Sequence, residues 1–220
     1  MKRNNKKQLI SYYSNKSYVT EQFKAIRAQI EFASFEKDFQ VVLITSPEPE
    51  SGKTTIAANL ATVFAKQGKK TLLIDADMRR PAVHRIFNMT NRHGLSELIV
   101  TKTADAHDFY RETMVESLFV MTSGLMPPNP NELLSSNRMK SILQDLAAEF
   151  DRIIIDTPPV LAASDALVLA PSLDGVLLVL RSGHTLYENA KKVVSELKQA
   201  RVPLIGAILN DVKEIKKFEY

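Results

Sequence analysis

Six short stretches of this chain are almost wholly apolar, at residues 41–44, 71–74, 118–121, 152–155, 175–180 and 204–209. A strand with one wet face alternates apolar and polar positions. Unbroken apolar runs of this length instead read as strands covered on both faces. The segments between them carry a different period. Phe23, Ile26, Ile30 and Ala33 recur at spacings of three and four, which predicts an amphipathic helix capped by Thr20 and running to about residue 36. A second helix is expected through Ile56–Ala61, ending at Gln67-Gly68, with others over 139–150 and 186–200. The prolines of 124–130 exclude regular structure there. Strands alternating with helices define the fold class as α/β, a mostly parallel sheet flanked by helices on both faces. Ligands on such sheets bind beyond the carboxyl ends of the strands.

That rule gathers the chemistry at one edge. Strand 41–44 is followed by Thr45-Ser46-Pro47-Glu48-Pro49-Glu50-Ser51-Gly52-Lys53-Thr54-Thr55 and then a helix, the strand–loop–helix setting that a phosphate-binding loop requires. Loop N–H groups and the helix N-terminus attract an anion. Lys53 is then placed to reach the β/γ-phosphates, and Thr54 to put its hydroxyl on a magnesium ion. The pattern G-x-x-x-x-G-K-[ST] would have its first glycine at Pro47, so the entry to this loop departs from the common form. Strand 152–155 ends at Asp156, which reads as a Walker B carboxylate, and strand 71–74 ends in Asp75-Ala76-Asp77-Met78-Arg79. Two carboxylates so close repel unless a cation compensates; magnesium, Lys53 and Arg79 are the candidates. One of the pair then assists the metal, and the other accepts a proton from an attacking hydroxyl. Asn210-Asp211-Val212-Lys213 matches a guanine-reading motif in composition only, which favours ATP. The Gly-rich and H-R-D loops of eukaryotic kinases are absent.

Composition narrows the picture a little. At 220 residues, 45% hydrophobic and 25% charged, the chain suits one globular α/β domain. It holds no cysteine, which excludes disulfides, thiolate metal sites and cysteine nucleophiles. No apolar run is long enough to span a membrane and no signal-peptide h-region opens the chain, so a soluble cytosolic protein is expected. Net charge is 29 − 25 = +4, and Lys2, Arg3, Lys6, Lys7 and Lys16 all precede residue 20 with no acidic residue among them. This basic stretch fits either a solvated flexible tail or attraction to an anionic membrane surface; no recognition motif supports nucleic acid. The expected division is a flexible tail at 1–19, a P-loop domain at 20–210 and a C-terminal tail at 211–220.

Taken together, the Walker A stretch Ser46–Thr54 with Pro49, the second aspartate motif Leu72–Arg79 and the Walker B run Ile153–Pro159 resemble the bacterial tyrosine kinases of capsule and exopolysaccharide synthesis. Gly94-Leu95-Ser96-Glu97-Leu98 and Pro127-Pro128-Asn129-Pro130-Asn131-Glu132-Leu133-Leu134 look like further segments of that family. The resemblance implies ATP- and magnesium-dependent autophosphorylation on tyrosine, in trans within a ring-like homo-oligomer, regulating polysaccharide synthesis and export. It implies catalytic roles for Lys53, Asp75, Asp77 and Asp156. Ser51, Gly52, Lys53, Thr54, Thr55, Arg79 and Asn210 would contact nucleotide, and Thr54, Asp75 and Asp156 would hold the metal. The family's Glu-x-x-Arg-x-x-Arg oligomerisation motif stands here as Glu21, Lys24 and Arg27, with a lysine that cannot form a bidentate fork. A membrane-bound activator with a cytoplasmic segment, tyrosine substrates and a cognate phosphatase are the implied partners, which would hold the protein at the inner face of the membrane. Tyr220, Tyr12 and Tyr13 are the candidate acceptors. The rival is a switch or scaffold ATPase of the partitioning type, but Glu48 occupies the position where those proteins carry a signature lysine.

Overall fold

The structure is a computed structural model that describes residues 8–33, 39–169 and 172–213. Among these residues seven strands form one sheet: β1 (Val41–Thr45), β2 (Thr71–Asp75), β3 (Tyr110–Glu112), β4 (Leu118–Met121), β5 (Arg152–Asp156), β6 (Gly175–Arg181) and β7 (Leu204–Asn210). Their order is β3-β4-β2-β5-β1-β6-β7, and every pairing is parallel except β3 with β4. Nine α-helices surround it: α1 (Ile10–Tyr13), α2 (Tyr18–Ala33), α3 (Lys53–Ala65), α4 (Val83–Ile86), α5 (Leu95–Val100), α6 (Pro130–Leu134), α7 (Asn137–Glu149), α8 (Asp165–Leu169) and α9 (Tyr187–Gln199), counted among the described residues.

The unbroken apolar runs have the expected cause. Leu43, Leu72, Ile74, Ile153 and Ile155 enter one core with α5, α7 and α9. Val42, Ile44, Leu73 and Ile154 enter the other with α2 and α3. Successive side chains of a strand point to opposite faces, so both parities must be apolar when both faces are covered. All six expected strands form, each within a residue of its expected bounds. β3 was not expected, because only Tyr110 of its three residues is apolar; the Tyr110 ring meets Phe119 and Phe150 edge-on at 5.7 and 5.2 Å. The proline-rich loop also ends sooner than expected: Pro130 opens α6, since a first-turn proline loses no intrahelical bond.

The N-terminal expectation needs correction. Residues 8–19 are not a loose tail, and Thr20 is not the cap of α2. Ser17 is the cap, its hydroxyl accepting from the Thr20 N–H at 3.1 Å, while Thr20 is buried and donates to the Ser14 carbonyl at 2.8 Å. Leu9 is fully buried. Asn59 of α3, also fully buried, accepts from the Ser11 N–H at 2.9 Å and donates to the Gln8 and Thr55 carbonyls at 2.6 and 2.8 Å. Lys66 closes the end of α1 by donating to the carbonyls of Ser11 and Tyr12 and to the Asn15 side chain. A cation at a helix C-terminus complements the carbonyls left unpaired there. The basic Lys2, Arg3, Lys6 and Lys7 lie outside the described residues. Asn59→Ala leaves the buried Ser11 N–H and the half-buried Gln8 C=O without this partner and is expected to cost about 1–3 kcal/mol. Chemical denaturation measures that cost, and hydrogen exchange should show the amides of residues 8–13 losing protection.

Candidate active site

β1, β5 and β2 lie side by side, pairing Ile44 with Asp156 and Asp75 with Asp156. The three motifs therefore emerge from adjacent strands at one edge, as the strand-end rule requires. Side chains then lash the loops together. Thr157 donates to the Ile44 carbonyl and Thr45 to the Pro158 carbonyl, each at 3.0 Å, and the Val160 N–H reaches the Ser46 carbonyl at 2.9 Å. Inside the phosphate-binding loop, the hydroxyls of Ser46 and Ser51 both donate to the Glu48 carbonyl, at 2.7 and 2.8 Å. These two bonds pin a loop whose entry carries Pro47 and so lacks one N–H.

Gly52 has φ +88°, a left-handed conformation that favours glycine, and α3 starts at the next residue. A Cβ on Gly52 would also meet the Asn210 amide at 2.3 Å. Asn210 donates to the Ser51 carbonyl at 3.0 Å, so it props the loop from β7. Glu48 is held by Asn189 of α9 at 2.7 Å, which ties that position to an intramolecular partner.

The charges concentrate behind this loop. Lys53 is only 7% exposed and Asp156 only 1%. Neither Asp156 oxygen has a partner of full hydrogen-bond geometry, an unusual state for a buried carboxylate. Burial pushes Asp156 up to about 7; the Lys53 ammonium and the Thr54 hydroxyl pull it down, and Asp77 raises it. Asp75 is fully buried and also well above the carboxylate range, chiefly through burial and the neighbouring Asp156.

The two aspartates of the second motif do different things. Asp75 accepts from the N–H groups of Asp77, Ala82 and Val83, at 3.2, 3.1 and 3.0 Å, and so shapes the turn that follows β2. Asp77 lies on that turn, 7% exposed, with one oxygen accepting from the Arg80 N–H at 2.9 Å and the other free. Among the described residues no three His, Asp or Glu groups are placed to hold a metal by themselves. A magnesium ion suits that arrangement, since it relies on one or two carboxylates plus phosphate oxygens and water. The donor set fits: a buried carboxylate with no partner of full hydrogen-bond geometry, a neighbouring threonine hydroxyl and a buried ammonium.

Other expected residues fall elsewhere. Thr55 follows Thr54 in the first turn of α3, its carbonyl engaged by Asn59. Glu21, Lys24 and Arg27 lie on α2, where Lys24 pairs with Glu21 at 2.8 Å and Arg27 with Glu31 at 3.7 Å. Tyr12 and Tyr13 are half-buried against the α3 core. Tyr220 lies outside the described residues. Gly94–Leu98 and the loop after β4 interlock, with the Glu97 carboxylate accepting from the Gly94 and Leu125 N–H groups at 2.9 and 3.0 Å.

Sequence reasoning missed Asp165, Asn131 and Asn189. Arg79 donates through Nε to Asp165 Oδ2 at 3.1 Å and through Nη2 to Oδ1 at 3.5 Å. Nothing in Ala163-Ser164-Asp165 distinguishes that carboxylate from a helix cap. A cleft of about 890 Å³ opens beside the loop between α2 and β7, walled by Phe23, Ile26, Ile205 and Leu209 and reaching Asn210–Val212.

Comparison with known proteins places this geometry. A family model described as an AAA domain matches residues 39–204. The chain is 45% identical over 212 residues to the tyrosine-protein kinase YwqD of Bacillus subtilis (strain 168), covering 96% of this chain and 89% of that one. It is 40% identical over 205 residues to the putative tyrosine-protein kinase CapB of Staphylococcus aureus, covering 93% and 90%. Among solved structures, the chimerical protein CapA2B2 superposes with a TM-score of 0.90 at 38% identity, covering 94% of this chain and 91% of that one.

Proposed function

The chain belongs to the bacterial tyrosine-protein kinases, ATP-dependent phosphotransferases, and from that membership we propose how its residues divide the work and what the activity serves. The observation that carries the assignment is Asp156, a buried carboxylate beside Lys53 and Thr54 with no partner of full hydrogen-bond geometry. Thr54 and Asp156 would hold magnesium together with the phosphates, and the ion would supply neutralisation of the charge developing on the transferred group. Lys53 donates to the phosphate oxygens, and the N–H groups around Gly52 cradle them. The adenosine half lies toward the cleft at Asn210.

Asp75 fixes the turn so that the free oxygen of Asp77 faces the incoming hydroxyl. The tyrosine oxygen forms the new bond to the γ-phosphorus, its proton passes to Asp77, and the bond to the β,γ-bridging oxygen breaks to release ADP. Both the metal and the roles of Asp75 and Asp77 rest on the chemistry of the donor set.

The activity serves the regulation of capsular or extracellular polysaccharide synthesis and export. It runs in trans in a homo-oligomer joined through the α2 face that bears Glu21, Lys24 and Arg27. A membrane-bound activator supplies a cytoplasmic segment and places the kinase at the inner face of the membrane; a phosphatase reverses the reaction. Among the described residues no helix is long and apolar enough to cross a membrane.

Asp77→Asn tests the catalytic assignment. Tyrosine phosphorylation, followed by mass spectrometry with Mg-ATP, is expected to fall roughly 100-fold, while ATP binding stays intact. Undiminished phosphotyrosine would remove Asp77 from the reaction. No phosphotyrosine in the unmodified protein, with activator segment and a tyrosine-rich peptide both present, would point to a switch ATPase.

A further inference from the structure

Asp165 is fully buried at the start of α8, where the packing of the helix by itself requires no charge. Burying a carboxylate is costly unless it is paired and hydrogen-bonded, and an apolar residue would fill the space more cheaply. Its partners are Arg79, through Nε at 3.1 Å and Nη2 at 3.5 Å, and the Asn131 amide at 3.3 Å. Asn131 also donates to Ser164 Oγ at 2.8 Å, so α6 ties down the start of α8 while Arg79 meets the carboxylate from the turn after β2. The Pro-Pro-Asn-Pro-Asn segment acquires a purpose here: Pro130 starts α6 and delivers Asn131 to Asp165.

The arginine side chain so anchored is itself 41% exposed, and it feels the charge of Asp77 as well as that of Asp165. An arginine at such a surface would otherwise sample many rotamers. A guanidinium has five N–H donors, and Asp165 engages only Nε and one Nη2 hydrogen, which leaves the remainder for another group. Planar forks of this kind suit phosphate oxygens. Resting on the phosphotransfer reading above, we infer that Asp165, steadied by Asn131, is a positioning residue that holds Arg79 beside Asp77 so that its free N–H edge meets the phosphoryl group in flight. Arg79 then acts on the transition state more than on bound ATP.

The test is a double-mutant cycle in the full chain, with Arg79→Ala, Asp165→Asn and the pair. Each protein is assayed for phosphate transfer from Mg-ATP to a tyrosine-rich peptide, for Mg-ADP affinity, and for the extra affinity gained when aluminium fluoride is added to mimic the phosphoryl group in transfer. Each single change is expected to lower kcat roughly 10–100-fold and to erase most of the fluoride-dependent gain. KM for ATP and the affinity for Mg-ADP should stay within about threefold of the parent. The double variant should be no worse than Arg79→Ala alone, because Asp165 works only through that arginine. Additive losses, an unchanged kcat in Asp165→Asn, or an undiminished fluoride effect would each overturn the inference. If Asp165→Asn does not fold, Asn131→Ala keeps the ion pair and loosens it: a severalfold kcat loss that vanishes in the Arg79→Ala background supports the inference, and one that persists there overturns it. An unmodified protein that transfers no phosphate to tyrosine would instead overturn the phosphotransfer reading, and the inference with it.

Discussion

Lys53→Met is expected to lower phosphotyrosine formation by about 10³-fold or more while leaving the protein folded. Two separate losses combine. The first is direct: a point charge with three N–H donors, positioned at the start of α3, no longer meets the phosphates. The second comes from the surroundings. Lys53 offsets the burial that pushes Asp156 up to about 7, and removing it pushes that carboxyl higher still. At neutral pH Asp156 then becomes protonated in the free protein, and a neutral acid is a poor ligand for magnesium. The fold survives for the same reason, because protonation relieves the buried charge that the lysine had balanced, and methionine keeps the length of the side chain. Mass spectrometry of the phosphotyrosine, with a thermal melt beside it, gives both halves. Activity within tenfold of the parent would mean that the phosphates do not bind where this loop places them. A melt displaced far downward would mean that Lys53 is chiefly structural.

What could be read in the sequence follows from what each feature depends on. Five of the six long strands were legible because burial on both faces makes nearly every residue of a strand apolar, a signal carried by the strand itself; β7 is as apolar in sequence but stays largely exposed, with Ile208 alone buried. The edge holding Lys53, Asp75, Asp77 and Asp156 was legible because the chain order of strand, acidic residue and turn fixes where a side chain leaves the sheet. β3 was not legible: it is held by the packing of Tyr110 on Phe119 and Phe150, contacts reached across the fold. Asp165 and Asn131 were hidden for the same reason, since Arg79 lies 86 residues and Asn131 34 residues from the Asp165 they both meet. The N-terminal segment misled because it is polar and basic, whereas one fully buried Leu9 and the side chains of Asn59 and Lys66 suffice to dock it.

Asp156→Asn should have opposite effects on activity and on stability. In the folded protein without metal or nucleotide, burial raises this carboxyl from an ordinary value of 3.8 to about 7. Between those values the folded state binds a proton that the unfolded state has released, so stability falls as pH rises through that window. Above about pH 7 both states are ionised and the full penalty of a buried charge is present, on the order of 4 kcal/mol. Asparagine removes the charge but leaves a buried amide to satisfy, a cost of about 1–3 kcal/mol. The net expectation is a gain of about 1–3 kcal/mol at pH 8, fading toward pH 5. Asp75 leans the same way, so the pH slope of the variant is reduced without vanishing. On the proposed metal role of Asp156, phosphotransfer should meanwhile fall about 10³-fold, because its charge has been removed. Urea denaturation of the metal-free proteins at pH 5 and pH 8 decides the matter. A parent protein whose stability rises over that interval, or a variant less stable than the parent at pH 8, would show that Asp156 is held by partners in the free protein. The expected pattern is that of a site whose buried carboxylate weakens the fold for as long as no cation compensates it.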